Sequence, residues 1–368
     1  MRILISGYKG FLGRHLLRAF KSSNRNFDII PLTKSDFESS SLSSKIRKND
    51  TIFHFAGVNR DLTEKTVYEK NEKINQTLYE ELEKLNFTGN LYFTSSTQEE
   101  SNTPYGIAKK KARIRFLNQS KKLSYNFHGI ICPNLFGPFC KPNYNSFIAT
   151  FCYQIINNVK PDLKENKKIS LIYVNDLINK LMSSLSTNDK ILIEDVTYEK
   201  KTGDILKLLN TFKKVYVDND SYPNISSYFD QCLFNTFISY LDFENYFPKK
   251  YKVHEDNRGS FAELIRTFSM GQTSMSITKK NETRGNHFHT RKIERFSVIN
   301  GRALVCIREL LSNKIIKFEL DGSYPSYVDI PIWHTHNIKN IGDKDLITIF
   351  WINEHYEDKT ADTYIEIV

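Results

Sequence analysis

The chain of 368 residues contains few cysteines, and no two of them are spaced as C-x-x-C. The five cysteines are odd in number and scattered along the chain, which argues against a disulfide framework and against a cysteine-based metal site. No apolar run approaches the length of a membrane span, and no signal peptide precedes the first apolar segment. We therefore expect a cytoplasmic protein with reduced thiols and no membrane partner.

A basic motif with interleaved aromatic residues is also lacking, although the formal net charge is +10. The lysines are spread along the chain, so we expect no nucleic-acid partner and only a modest attraction for anionic ligands such as nucleotide phosphates. The length is sufficient for a large core and favours two domains. We place these domains at residues 1–245 and 246–368, because the pattern of apolar residues changes from Tyr246 onward.

What the sequence does contain is a glycine-rich opening, in which Gly7, Gly10 and Gly13 follow the apolar run from Ile3 to Ile5. Apolar residues at helical spacing come next, which predicts a strand, a tight turn and a helix. Such a turn lets a pyrophosphate approach the backbone and the N–H groups of the helix N-terminus. The alternative is a purely structural glycine turn. We expect a dinucleotide to contact the whole turn, namely Gly7, Lys9, Gly10, Phe11, Leu12 and Gly13.

The end of the second predicted strand bears on the choice of dinucleotide. Folds that prefer NAD commonly place an acidic residue there to hold the ribose hydroxyls, whereas this chain has Thr33, Lys34 and Ser35. Two hydroxyls and a cation suit a 2′-phosphate. We therefore assign Thr33 and Lys34 to NADPH binding, although Asp36 nearby leaves NAD open.

The third predicted strand, residues 51–56, ends in Ala56 and Gly57, whose small size would let a cofactor lie across the sheet. Strands and helices alternate from there to residue 132, which predicts a Rossmann-type, doubly wound parallel sheet of the α/β class. Helices with short connecting strands follow over residues 146–244, and we expect them to form a small substrate lobe.

Candidate catalytic residues lie after the fourth predicted strand. Tyr105 and Lys109 are four residues apart, so they share one face of a predicted helix. An ammonium beside a phenol favours the phenolate, and we expect Lys109 to lower the pKa of Tyr105. The phenol could then exchange a proton with a carbonyl during hydride transfer. Ser96, at the strand end, could hold the same carbonyl oxygen.

The glycine turn, the Ser96 strand end and Tyr105-x-x-x-Lys109 resemble the extended short-chain dehydrogenase/reductases, and Asn134 within Pro-Asn-Leu-Phe-Gly extends the match. The segment Leu-Ile-Tyr-Val-Asn-Asp at residues 171–176 is similar to a later motif of the members that act on nucleotide sugars. The resemblance implies that Asn134 contacts the substrate, and a turn-forming Asn is the alternative. The gap between Ser96 and Tyr105 is shorter than is usual in that family.

In the C-terminal part, short alternating apolar segments predict an all-β domain. His287, His289, Glu294 and His336 could bind Zn²⁺, Fe²⁺, Mn²⁺ or Ni²⁺ and leave one position open. The spacings H-x-H-x4-E-x6-G and P-x4-H-x3-N resemble the two cupin motifs, which implies a C-terminal cupin β-barrel. In the alternative, the histidines bind a sugar without a metal. His334 is a further histidine at this site, which we assign to substrate binding.

Arg258, in the segment Asp256-x-Arg258-Gly259, matches a segment of sugar-nucleotide 3-epimerase cupins. That resemblance implies that Arg258 faces the diphosphate or the sugar of a substrate. An ordinary Asn-Arg-Gly turn is the alternative.

The order of the two halves resembles, over essentially the whole chain, bifunctional enzymes of bacterial capsular polysaccharide synthesis. This resemblance implies that the cupin domain epimerises C3 of UDP-2-acetamido-2,6-dideoxy-4-hexulose, a UDP-linked 4-keto-6-deoxy-HexNAc. The Rossmann domain would then reduce C4 with NADPH to UDP-2-acetamido-2,6-dideoxy-L-talose, on the route to UDP-N-acetyl-L-fucosamine for capsule or O-antigen. It also implies a homodimer and zinc in the cupin. The alternatives are a single-function reductase or epimerase with a structural cupin, and a non-catalytic protein on a reductase scaffold.

Overall fold

The computed structural model describes residues 1–39, 41–187, 191–250, 253–256, 259–262, 272–354 and 361–368. Contacts divide the chain into two compact units, Met1–Thr150 with Asp162–Ile205, and Phe151–Pro161 with Leu206–Val368. Residues 206–245 thus belong to the same unit as the C-terminal strands. The domain boundary at residue 245 stays a prediction.

The elements up to residue 205 alternate between strand and helix. The strands are β1 (Arg2–Ser6), β2 (Asp28–Leu32), β3 (Thr51–His54), β4 (Asn90–Ser96), β5 (Asn126–Cys132), β6 (Asn134–Phe136), β7 (Lys168–Tyr173) and β8 (Thr197–Lys201). The helices are α1 (Phe11–Ser22), α2 (Lys34–Glu38), α3 (Leu42–Lys45), α4 (Glu64–Lys84), α5 (Pro104–Leu123), α6 (Phe147–Ile156) and α7 (Val174–Thr187), with 3₁₀ turns at Thr97–Glu100 and Glu194–Val196.

Strands β1 to β5 form a parallel sheet in the order β2-β1-β3-β4-β5. Ile3, Leu4 and Ile5 are buried, as expected of a parallel strand that is covered on both faces. The strand order reverses between β1 and β3, and the crevice at the carboxyl ends of such strands is where doubly wound folds bind ligands. The predicted doubly wound sheet is confirmed. A separate small sheet joins β6, β7 and β8.

The remaining elements are mostly strands. The helices are α8 (Thr202–Phe212), α9 (Tyr228–Ile238) and α10 (Phe243–Tyr246), with a π-type turn at Lys213–Val217. The strands are β9 (Lys249–Lys250), β10 (Val253–Asp256), β11 (Gly259–Ala262), β12 (Gln272–Thr278), β13 (Thr283–Phe288), β14 (Glu294–Asn300), β15 (Arg302–Glu309), β16 (Ile315–Asp321), β17 (Ser326–Ile330), β18 (His334–Asn340), β19 (Leu346–Ile352) and β20 (Tyr364–Ile365).

Ten of these strands build two five-stranded antiparallel sheets, in the orders β12-β19-β14-β17-β9 and β16-β15-β18-β13-β20. Strands β10 and β11 pair with each other in a separate antiparallel sheet. Val298 and Val328 of the first sheet share one core cluster with Val305 and Ile338 of the second. The two sheets therefore pack through alternating apolar side chains, as two-sheet β-domains do. The predicted cupin-type architecture is confirmed.

A buried ion pair connects the segment at residues 206–246 with the sheets of its unit. Arg295 Nε lies 2.7 Å from Asp329 Oδ1, and both side chains are buried. The Tyr216 hydroxyl donates to the other carboxylate oxygen of Asp329, and the Arg295 guanidinium lies 3.8 Å from the centre of the Tyr327 ring. Tyr216 comes from the π-type turn, so this network accounts for the grouping of residues 206–245 with the C-terminal strands.

Among the residues that the structure describes, no helix combines the length and hydrophobicity needed to cross a membrane.

Candidate active site and metal centre

The turn between β1 and α1 can be built only from glycines at its two ends. Gly7 has a φ of +69°, and a β-carbon there would lie 2.8 Å from the backbone nitrogen of Ala56. A β-carbon on Gly13 would lie 2.5 Å from the carbonyl oxygen of Gly7. The Gly10 N–H donates to that same oxygen at 2.8 Å and closes the turn. The glycines therefore keep β1, β3 and α1 in close contact, which clears a path for a ligand across them.

The N-terminus of α1 is suited to an anion. Gly10 occupies the N-cap, no side chain caps it among the described residues, and no acidic residue lies in the first turn. The Leu12 side chain belongs to the core and Phe11 packs against it, whereas Lys9 is exposed. Because its side chain is buried, Leu12 can offer a pyrophosphate only its backbone N–H. The dipole of α1 favours the negative charge of a pyrophosphate at this end of the helix.

At the end of β2 the acidic residue is already engaged. Asp36 accepts hydrogen bonds from Thr33 N and Thr33 Oγ1, both at 2.7 Å, and from Lys45 Nζ at 2.8 Å. Burial opposes ionisation of Asp36, yet these hydrogen bonds hold its pKa well below its usual range. Lys34 instead projects into solvent, 3.5 Å from Glu38. The arrangement therefore removes Asp36 from cofactor binding and leaves Lys34 exposed beside Glu38 near the end of β2.

The loop after β3 is fixed by buried polar side chains. The Ala56 N–H donates to Ser6 Oγ at 3.1 Å, and the Val58 N–H donates to Asn71 Oδ1 at 3.0 Å. Between them, Gly57 faces the catalytic candidates, because a β-carbon there would lie 3.3 Å from Lys109 Nζ. The structure thus brings the predicted cofactor residue Gly57 to the predicted catalytic lysine, while Ala56 lies against Gly7.

Tyr105 and Lys109 lie in the first turns of α5, which begins at Pro104 and is capped by Thr103. Lys109 is buried, and its Nζ donates to the Thr94 carbonyl at 3.0 Å and lies 5.8 Å from the centre of the Tyr105 ring. Burial lowers the pKa of Lys109 to about 8. The Ser96 hydroxyl stands at the end of β4 and accepts from Gln98 N at 3.2 Å.

The pKa of Tyr105 departs from the sequence-based expectation. Burial, followed by the neighbouring Cys132 and Tyr144, raises the pKa of Tyr105 above its ordinary value. The expected lowering by Lys109 is wrong for this structure, since desolvation of the phenolate prevails. A phenol that keeps its proton is suited to donating it to a ketone oxygen.

Cys132 and the predicted substrate residue Asn134 follow this site in the sequence. Burial raises the pKa of the Cys132 thiol to about 12, so this residue is a neutral group beside the catalytic candidates. Asn134 is exposed at the start of β6 and donates from Nδ2 to the Ser170 carbonyl at 3.2 Å. Its contact with a substrate stays a prediction.

In the second unit, four predicted ligands converge. The ligand atoms of His287, His289, Glu294 and His336 all lie within 4.8 Å of one another. His287 and His336 are partners across β13 and β18, and Glu294 begins β14. Glu294 Oε2 lies 2.8 Å from His336 Nε2, 3.3 Å from His289 Nε2 and 3.9 Å from His287 Nε2.

The protonation and orientation of these side chains fit a divalent cation. The Nδ1 atoms of His289 and His336 face the backbone carbonyls of Asp362 and His334, which turns both Nε2 atoms toward Glu294. Those two Nε2 atoms and Glu294 Oε2 are buried and have no well-aligned hydrogen-bond partner among the described residues. A metal ion would satisfy all three.

The charges agree with this interpretation. Burial, and then the neighbouring His336, lowers the pKa of His287 to about 4, so its ring is neutral. Burial opposes ionisation of Glu294, yet the neighbouring imidazoles of His289 and His336 hold its pKa well below its usual range. Burial opposes protonation of His289, yet the neighbouring Glu294 raises its pKa. Three imidazoles with one carboxylate are a donor set that zinc and similar ions accept.

Two substrate-binding residues are predicted in this unit, His334 and Arg258. His334 is buried on β18, and its Nδ1 donates to the Ile332 carbonyl at 2.9 Å. Its role in substrate binding stays a prediction. Arg258 lies outside the described residues.

Sequence reasoning missed Asp362, which is fully buried. Its carboxylate accepts from the N–H groups of Thr290, Arg291 and Lys292, and its carbonyl faces His289 Nδ1. Asp362 thus ties the C-terminal segment to the turn between two predicted metal ligands, His289 and Glu294. It lies far from those ligands in the sequence, so no local spacing could indicate it.

Comparison with known proteins matches one family model to each half of the chain. The model of the NAD dependent epimerase/dehydratase family matches residues 3–195, and that of the polysaccharide biosynthesis C-terminal domain matches residues 254–364. A curated relative, UDP-2-acetamido-2,6-beta-L-arabino-hexul-4-ose reductase of Pseudomonas aeruginosa, is 30% identical over 99% of this chain and 98% of its own.

Two solved structures are also similar. The capsular polysaccharide assembling protein CapF from Staphylococcus aureus is 31% identical, with all of both chains covered and a TM-score of 0.63. RMD from Pseudomonas aeruginosa, solved with NADPH, covers 58% of this chain and 82% of its own, at 18% identity and a TM-score of 0.51. The latter likeness shows the fold alone.

Proposed function

Since the chain belongs to the NAD dependent epimerase/dehydratase family, we propose that it is a bifunctional nucleotide-sugar enzyme. The C-terminal unit would epimerise C3 of UDP-2-acetamido-2,6-dideoxy-4-hexulose. The Rossmann unit would reduce the C4 ketone to UDP-2-acetamido-2,6-dideoxy-L-talose, on the route to UDP-N-acetyl-L-fucosamine for capsule or O-antigen. The observation that carries the proposal is the presence, in one chain, of a Tyr105–Lys109 site and a buried His/Glu cluster.

In the reduction, Tyr105 donates its proton to the C4 oxygen, and the raised pKa keeps that proton available. Ser96 holds the same oxygen by a hydrogen bond. Lys109, buried beside Gly57, stabilises the phenolate that remains. Bound NADPH would supply the hydride, with the 2′-phosphate at Thr33 and Lys34.

In the epimerisation, a proton leaves C3 and returns on the opposite face. A proton α to a ketone is acidic only when the enolate is stabilised. Zinc held by His287, His289, Glu294 and His336 would supply Lewis-acid polarisation of the C4 oxygen. His334, buried two residues before His336, is one candidate to carry the proton.

The two reactions support each other chemically. The C3 proton is acidic only while C4 is a ketone, so reduction at C4 fixes the configuration that epimerisation has produced. Reduction also removes the epimerised ketone and so draws an unfavourable equilibrium forward.

The proposal is tested with the full-length enzyme and the UDP-linked 4-keto-6-deoxy-HexNAc in D₂O. Without NADPH we expect deuterium at C3, and with NADPH we expect NMR to identify the L-talo product. Tyr105→Phe should abolish NADPH oxidation and leave the exchange. His287→Ala with His289→Ala should abolish the exchange, and unchanged exchange in that variant would favour a reductase with a structural cupin.

We further propose that the enzyme works in the cytoplasm as a homodimer. The odd number and the scattered positions of the cysteines support a reducing compartment. Light scattering coupled to size-exclusion chromatography measures the assembly directly, and a monomeric mass would contradict this part of the proposal.

A further inference from the structure

The loop after β3 carries a cation, Arg60, that has no role in the proposed reduction or epimerisation. Arg60 lies three residues after Gly57 and is exposed, with its guanidinium carbon 6.0 Å from the centre of the Tyr144 ring. Lys141 is exposed as well, with its Nζ 5.6 Å from the centre of the same ring. Two cations from loops far apart in the sequence therefore meet on one aromatic ring.

This ring lies near the catalytic phenol. Burial first, and then the neighbouring Cys132 and Tyr144, raise the pKa of Tyr105, so Tyr144 is a neighbour of the catalytic phenol. Tyr144 and Lys141 both follow Asn134, in the loop that leads from β6 to α6. The loop that follows Asn134 therefore brings Tyr144 close to the Tyr105 phenol.

The position of Arg60 is fixed by independent contacts. Asn71 accepts from the Val58 N–H at 3.0 Å and donates to the Val58 carbonyl at 2.7 Å. Gly57 lies against Lys109 Nζ. The loop is therefore held at the active site two and three residues before Arg60, and the arginine extends from that anchored segment.

Neither cation has a carboxylate partner within the described parts of the chain. Cations elsewhere on this unit differ, since Lys111 and Arg115 of α5 both lie within 4 Å of Glu72, at 2.6 Å and 3.4 Å. Two unneutralised cations beside a reacting phenol form a local positive field that favours an anion.

We propose that Arg60 and Lys141, held on the Tyr144 ring, bind the diphosphate of the nucleotide-sugar substrate. The assignment rests on the proposed function, in which the sugar ketone lies at Tyr105. The diphosphate is separated from that ketone by one sugar ring and carries two negative charges, which two cations match. Arginine can grip phosphate oxygens in a bidentate manner, and lysine adds a point charge.

The test compares the full-length wild type with Arg60→Gln, Lys141→Gln and the double variant. Titration calorimetry with UDP on the enzyme saturated with NADP⁺ gives the dissociation constant. We expect about a tenfold weakening for each single variant and a larger one for the double variant. The matched control is Lys121→Gln, which should leave UDP binding unchanged. Lys121 is an exposed lysine on α5, about 24 Å along the helix from Tyr105. Added salt should weaken wild-type binding more steeply than binding to the double variant.

A second measurement separates substrate from cofactor. NADPH affinity, followed by fluorescence, should be the same in all variants. Weakened NADPH binding with unchanged UDP binding would overturn the proposal and assign the cations to the cofactor. If the wild type turns over the 4-keto sugar and the double variant binds UDP as tightly as the wild type, the diphosphate site alone is wrong. If the wild type neither binds UDP nor turns over that sugar, the proposed function fails with it.

Discussion

Gly57 lies so close to Lys109 that a β-carbon on the glycine would stand 3.3 Å from the lysine Nζ. The same β-carbon would stand 3.1 Å from Asn71 Oδ1, which anchors the loop to α4. Lys109 in turn donates to the Thr94 carbonyl, so its ammonium group is held on the opposite side. The glycine is therefore required by the site and not by the conformation of a turn.

We predict that Gly57→Ala lowers kcat for ketone reduction by about ten- to a hundredfold, because the methyl group displaces the Lys109 ammonium. The position is exposed, so thermal stability should change little. The measurement is steady-state NADPH oxidation, with the melting temperature as the check on folding. Activity near that of the wild type would show that the loop can yield without moving Lys109.

The reduction should also depend on pH through Lys109. Burial lowers the pKa of Lys109 to about 8, so the side chain is an ammonium below that pH and a neutral amine above it. The ammonium stabilises the Tyr105 phenolate left after proton donation, so kcat should fall as the pH rises through about 8, by about tenfold per unit. Lys109→Arg keeps the charge and should show a lower kcat without the decline. A wild-type profile that stays flat well above pH 8 contradicts the assignment.

Much of the fold could be predicted because the local spacing of apolar residues indicates its strands and helices. The apolar run before Gly7 and the helical spacing after it place β1 and α1, and the alternating segments from residue 272 onward place β12 to β19. The predicted metal ligands could also be recognised, since the H-x-H spacing of His287 and His289 is one that brings two imidazoles to the same side of an extended segment. The glycine spacing thus indicates the cofactor site, and the histidine spacing indicates the His/Glu cluster.

What could not be predicted depends on tertiary contacts. The pKa of Tyr105 rises because of burial, and the sequence shows Lys109 beside it but not the loss of solvent. No predicted metal ligand lies near Asp362 in the sequence, yet its carboxylate accepts a hydrogen bond from the turn between His289 and Glu294. Asp36 could have been recognised, since Thr33-x-x-Asp36 is a capping pattern that removes this carboxylate from cofactor binding.

Asp362 provides a test of the metal centre. Its carboxylate accepts from Arg291 N at 2.8 Å and from Thr290 Oγ1 at 2.7 Å, and its carbonyl orients the His289 ring. We predict that Asp362→Ala weakens zinc binding by about ten- to a hundredfold, because the supporting segment loses its hold on the ligand turn. Competition with a chromophoric chelator measures this affinity without reference to activity.

The matched control is Asp345→Ala, an exposed carboxylate in the same unit, which should leave zinc affinity unchanged. Equal affinities for the wild type and Asp362→Ala would mean that the segment covers the site without organising it. Removal of zinc from the wild type by a strong chelator should abolish C3 exchange and spare ketone reduction.

The buried pair Arg295–Asp329 should dominate the stability of the second unit. Loss of Asp329 leaves a buried guanidinium without its carboxylate and the Tyr216 hydroxyl without its acceptor. We predict that Asp329→Ala lowers the free energy of unfolding by about 3–5 kcal/mol, measured by urea denaturation. The control is Glu319→Ala, because the Glu319 pair with Arg302 at 3.5 Å is exposed and should contribute less than about 1 kcal/mol. Replacing both partners, as Arg295→Met with Asp329→Leu, removes the unpaired charge and should recover part of the loss. A double variant that is less stable than Asp329→Ala would show that the guanidinium stabilises this unit through the tyrosine rings rather than through the carboxylate.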